Sequence, residues 1–362
     1  MIRPLQPVFL GRVHESTPGR PKSTRPPRGA DDASRRPRGA IALAIAFAAQ
    51  FVACLVAGCA SLGAADTMPP GAAIDLGNGV YMLRGAPGEV GPQNQGRVGN
   101  AGFIVGETGV LAIDTGTSYR HGVELLDAIA KVTNKPVRRV VITHTRQEFL
   151  FGATAFRERG IPIQMHRQAA QLMRSRCENC LKTLKRVLGE DAMRGSAVIR
   201  PDIEFDDPVA LDVIGGRPVR LLYFGHSAGP GDVAVFDPRS GVLFAGGLLD
   251  QQRIPDVQDS VLDGWRGALA ALAQLPITHI VPGHGPAAPP ALIATVARYL
   301  DQLEARMLAL MNAGAALSEA PDQASLPEFT GWDQYETIHR RNASIVYVRL
   351  ERELLFREPR QE

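Results

Sequence analysis

Three histidines, His144, His226 and His284, each stand at a turn that follows a short apolar run. Glu148 lies four residues beyond His144, with Arg146 between them, and Asp114 and Asp232 sit beside glycines in similar turns. Neutral imidazoles and carboxylates converging from strand ends are what zinc requires: a tetrahedral shell, with one position left open when water is to be activated. Rigid sheets aim loop tips at one point, so such ligands suit strand ends. Arg146 opposes that chemistry, because a guanidinium stays protonated and has no lone pair for a metal. A second group is Cys177-Glu178-Asn179-Cys180. Redox pairs of the thioredoxin kind open a helix directly after a strand, whereas this pair lies inside a charged helical stretch between Arg176 and Lys182. A structural disulfide between Cys177 and Cys180 is the first expectation, redox activity the second and zinc binding the third.

The elements that must position these residues alternate between strand and helix. Val80 to Leu83, Gly102 to Val105 and Val110 to Ile113 read as three early strands. Val123, Leu125, Leu126, Ile129 and Val132 recur at helical spacing, which predicts a helix from Tyr119 to Lys131. A buried strand, Val140 to Ile142, leads into the His144 turn and a further helix. Residues 166 to 188 predict one or two helices carrying the cysteine pair. From Pro208 a second strand-rich half begins: Val219 to Phe224, Asp232 to Phe236 and Val242 to Ala245 are bounded by Gly and Pro turns. A helix from Val261 to Leu275 precedes the strand His279 to Val281, which breaks at Pro282-Gly283-His284-Gly285-Pro286. Two strand-rich halves flanked by helices predict an α/β (α+β) fold, an αββα sandwich with both sheets between helical layers. Residues 289–362 read as a helical C-terminal extension, with Leu292, Val296, Tyr299, Leu300 and Leu303 on one face. Trp332, Tyr335, His339 and Asn342 form a stripe expected to pack the last helix on the core.

The chain has 362 residues and a formal charge of +3, but the basic side chains are unevenly placed. Nine Lys or Arg face three acids before Cys59, leaving 31 basic and 34 acidic residues beyond it. That remainder gives no reason to expect nucleic-acid binding, which relies on clustered positive charge. Residues 1–58 have the parts of an export signal: an Arg- and Pro-rich stretch, then an apolar run broken by Gln50. It ends in Leu55-Val56-Ala57-Gly58-Cys59, which looks like a bacterial lipobox with Cys59 as the lipidated residue; an uncleaved membrane anchor is the other reading. Residues 59–73 read as a tether. The expectation is a lipoprotein on the periplasmic face of a bacterial membrane, the outer one, that meets the membrane through its N-terminal lipid.

The stretch Val140 to Phe149 resembles the His-x-His-x-Asp-His signature of metallo-β-lactamase-fold hydrolases. His144 matches the first position, while Arg146, Glu148 and Phe149 replace the second His, the Asp and the last His. His284 matches the family's last ligand loop. His226 is two residues further from Asp232 than in the family's His-Thr-x-Gly-Asp; if Asp232 anchors the register, Ala228 takes the ligand place. Gly247 stands where the bridging Asp would be, and Asp250 reads as a solvated loop carboxylate. The resemblance spans about residues 74–288, with residues 164–200 as a helical insertion. It implies a metallo-β-lactamase sandwich holding at most one zinc through His144, His226 and His284, with a weak contribution from Glu148. Asp114 and Asp232 would brace the turns, and Arg146 would pair with Glu148 in place of a metal. Arg253-Ile254-Pro255, Gly264-Trp265 and the His284 turn resemble a narrower exported subgroup, zinc metallohydrolase-like proteins associated with periplasmic quinoprotein dehydrogenases. Such a dehydrogenase system is the partner that this implies. The expected function is a hydrolase-like lipoprotein that is non-catalytic or at most mononuclear; the alternative is an active metal-dependent hydrolase of an ester, thioester or lactone.

Overall fold

Short strands of three to six residues, most of them largely apolar, build two sheets in the computed structural model, which describes residues 71–356. The leader, the lipidation site and most of the tether lie outside the described residues. In chain order the strands are β1 (Ala73–Asp75), β2 (Val80–Leu83), β3 (Ala101–Val105), β4 (Val110–Ile113), β5 (Val137–Ile142), β6 (Ile163–His166) and β7 (Ile203–Phe205). Together they form a seven-stranded sheet in that order. The second sheet has five strands: β8 (Val209–Leu211), β9 (Val219–Tyr223), β10 (Val233–Asp237), β11 (Val242–Gly246) and β12 (His279–Pro282). Pairing is parallel from β4 through β7 and between β11 and β12, and antiparallel elsewhere. Parallel strands are covered on both faces, and β4 is accordingly apolar and buried at every position.

Helices cover the outer faces. The first sheet carries α1 (Tyr119–Val132), the short α2 (Gln147–Leu150) and α3 (Ala153–Arg157), and α4 (Arg167–Leu188). The second carries α5 (Leu262–Leu272), α6 (Leu292–Asn312) and α7 (Arg340–Phe356). A third apolar layer lies between the sheets, where Ile104, Leu111 and Val141 meet Leu221, Val235 and Phe244 of β9 to β11. The helical C-terminal region buries Leu292, Val296, Tyr299, Leu300 and Leu303 of α6 and Asn342, Val346 and Leu350 of α7. Among the described residues no helix is long and apolar enough to cross a membrane.

One close approach sets where the site can form. A Cβ on Gly152 would lie 1.9 Å from the Thr115 carbonyl oxygen and 2.8 Å from the Gly122 nitrogen, so the start of α3 touches α1 backbone to backbone. Both neighbours are main chain and cannot rotate away. Gly152→Ala is expected to cost about 1–3 kcal/mol through overpacking, read as a lower urea midpoint at unchanged slope.

Candidate functional site

The strand ends of both sheets meet at one cavity of about 510 Å³. His144 enters it from the turn after β5, and Arg146 and Glu148 follow at the start of α2. Gly247 and Asp250 come from the loop after β11, and His284 from the turn after β12. Each turn is fixed by the polar groups around it. Asp114, at φ +56°, takes up a left-handed conformation that Asp tolerates better than most residues. Its carboxylate accepts the Thr143 N–H at 2.9 Å, and Thr143 Oγ1 lies 2.7 Å from His144 Nδ1. Asn100 pins the other turn: its amide donates to the carbonyls of Pro282 and Gly285 at 2.8 and 2.9 Å.

His284 sits between two carboxylates. Its Nδ1 is 2.8 Å from Asp250 Oδ1, and its Nε2 is 3.3 Å from Glu148 Oε1. Burial works against a charged ring, yet Asp250 and Glu148 outweigh it and raise the His284 pKa. Glu148 responds in the opposite sense: burial pushes it up, but His284 and Arg146 bring it down to about 2. His144 has no such partner. Burial and the Arg146 charge lower it to about 3, so its ring is neutral. The ring of Phe149 packs against both imidazoles, with centroids 4.3 Å from His144 and 5.3 Å from His284.

Arg146 is held elsewhere than the sequence suggests. Its Nη1 donates to Asp256 Oδ2 at 2.7 Å and its Nη2 to the Asp256 carbonyl, rather than pairing with Glu148. Arg341 of α7 donates to the same Asp256 oxygen at 2.5 Å. Three further expectations are corrected. His226 is exposed, its Nε2 lies 2.6 Å from the Asp259 carbonyl oxygen, and it does not line the cavity, because the longer turn before Asp232 carries it outward. Asp250 is buried against His284 instead of solvated. Cys177 and Cys180 are free thiols, not a disulfide. Asp232 is buried and raised to about 7 by that burial. His339 is buried between the Tyr299 hydroxyl and the Ala324 carbonyl, away from the cavity.

Sequence reasoning missed Asn100, Asp256 and Arg341, whose partners across the site lie 85 to 185 residues away. No local pattern marks such pairings. Zinc finds little to hold: among the described residues no three His, Cys, Asp or Glu side chains form a group that could bind a metal ion. His144 Nε2 and His284 Nε2 are both buried without an aligned hydrogen bond. The arrangement can therefore grip a polar ligand through two imidazoles flanked by charge, in a cavity of small-molecule size.

The family model of the metallo-beta-lactamase superfamily matches residues 94–284. A metallo-beta-lactamase type 2 from Bacillus sp. (strain 170) is 23% identical over 203 residues, 54% of this chain and 71% of its own length. Among solved structures, a metallo-beta-lactamase from Pontibacter korlensis is similar with a TM-score of 0.52 and 22% identity, covering 63% of this chain and 98% of its own. The DIM-1 metallo-beta-lactamase is similar with a TM-score of 0.50 and 16% identity, covering 63% and 96%. At these identities the structural likeness is one of fold.

Proposed function

The chain belongs to the metallo-β-lactamase superfamily, and from that premise we propose that it is a lipid-tethered binding or accessory protein that keeps the hydrolase framework without its two-metal chemistry. One observation carries this reading: the Arg146 guanidinium, anchored on Asp256, stands two residues from His144 and lines the cavity. A fixed cation repels a dication and supplies no lone pair. Gly247 adds no oxygen, and a side chain there would crowd His144, since a Cβ would lie 2.9 Å from its Cδ2 and 2.6 Å from Asp232 Oδ2. The residues present do not fit a two-zinc centre. The lipobox at Leu55 to Cys59 supports a place on the periplasmic face of the outer membrane, and the Arg253-Ile254-Pro255 and His284 marks support a periplasmic quinoprotein dehydrogenase system as partner.

Elemental analysis after incubation with zinc and dialysis should find well under one ion per chain, and hydrolysis of a generic ester or lactone should not exceed background. Stoichiometric zinc together with hydrolysis abolished by His284→Ala would overturn the reading. His144 Nε2, buried without a hydrogen-bond partner, favours the second reading, a mononuclear hydrolase, and the same measurements separate the two. Arg146→His is expected to leave zinc binding where it was, because Phe149 and Gly247 still withhold ligands. Isothermal titration with zinc checks this, and a tight single site in that variant would show that Arg146 alone excludes the metal.

A further inference from the structure

Cys177 and Cys180 occupy consecutive turns of α4 and line the same cavity as Glu148 and His284. Cys177 is buried and Cys180 half-buried, so Cys180 is the more accessible sulfur. The two residues are neighbours on one face of α4, and Cys180 Sγ donates to the Arg176 carbonyl oxygen at 3.5 Å. α4 runs unbroken from Arg167 to Leu188. On such a helix, Cβ atoms three residues apart are about 5–6 Å from one another. A disulfide wants them at about 3.8 Å, so closing the bond must distort the helix, and strained disulfides are the readily reduced ones.

We propose that Cys177 and Cys180 are a reversible thiol–disulfide exchange pair that reacts with a small disulfide entering the cavity, Cys180 attacking and Cys177 resolving. The Cys180 thiolate bonds to one sulfur of the small disulfide and breaks its S–S bond, expelling one thiolate. Cys177 sulfur then bonds to Cys180 sulfur, the mixed disulfide breaks, and the second small thiol leaves. The two thiol protons of the pair end on the two released thiols, and two electrons pass from the pair to the small disulfide. The neighbouring Cys177 lowers the Cys180 pKa from its ordinary value, against the effect of burial, while Cys177 itself is raised. A thiolate attacks best when its pKa lies near the ambient pH. The position of both sulfurs on the cavity wall, with Cys177 buried, admits a small molecule rather than a folded protein.

The reduced full-length protein, equilibrated over a series of oxidised-to-reduced glutathione ratios, quenched with acid, labelled with maleimide and mapped by peptide, should lose the Cys177 and Cys180 labels together and regain them when the ratio is reversed. Peptide-mapping mass spectrometry of Cys177→Ser should show a glutathione adduct on Cys180 about tenfold more abundant than the adduct on Cys177 in Cys180→Ser. Wild-type protein that keeps both thiols across the series, or that stays oxidised in excess reduced glutathione, would overturn the proposal. Equal adducts on the two variants would overturn the assignment of the attacking sulfur. The wild-type titration needs no substitution and decides the matter even where a variant fails to fold.

Discussion

Arg217→Ala is expected to lower stability by about 3–5 kcal/mol, the cost of breaking a buried ion pair by removing one partner. Arg217 lies between β8 and β9 and is 2% exposed at the side chain, against 0% for Asp237 at the end of β10. The contact is bidentate: Nη2 donates to Asp237 Oδ2 at 2.5 Å and Nε to Oδ1 at 3.2 Å. Nη1 donates across the sandwich to the Val105 carbonyl of β3 at 2.8 Å. Truncation therefore strands a buried carboxylate and an acceptor on the other sheet at once. Asp237→Asn should cost less, because the amide keeps the shape of the side chain and an oxygen for Arg217 to donate to, whereas Arg217→Ala removes every donor at once. Urea denaturation of the two variants at neutral pH checks the order, and a loss below about 1 kcal/mol for Arg217→Ala would show that water reaches the site and solvates Asp237.

Much of the scaffold was legible because its signals are local. β2, β4 and the apolar face of α6 appear where alternation and helical spacing place them, and the turn at His284 is announced by Pro282 and Gly283. β6 and β7 were not foreseen: Ile163 to His166 ends in His and contains Gln164, and Ile203 to Phe205 contains Glu204, so neither shows a clean apolar run. The convergence of His144, Glu148 and His284 followed from their positions at strand ends. Their hydrogen-bond partners did not, since Asp250 and Asp256 look like any loop carboxylate until the fold brings His284 and Arg146 to them. His226 shows the opposite error. Its sequence context suggested a ligand, but the residues Gly229, Pro230 and Gly231 lengthen the turn and Asp259 holds the ring outside.

Asp232→Asn is expected to stabilise the protein at pH 8 and to change little at pH 4. The Asp232 carboxyl is buried beside Gly247 and Gly229, and burial raises it from 3.8 to about 7, with Arg146 opposing and Asp259 adding to the shift. An acid whose folded pKa exceeds its unfolded value is favoured while protonated; that contribution is whole below about pH 4 and is lost as pH rises through 7. At about 1.4 kcal/mol per unit, the full loss is on the order of 4 kcal/mol. Asparagine has the same shape and never ionises, so the advantage of the variant should grow across this window. Urea midpoints at pH 4, 6 and 8 measure it. A difference between variant and wild type that stays constant with pH would mean that Asp232 is ionised throughout, with the Arg146 charge outweighing the burial that now dominates it.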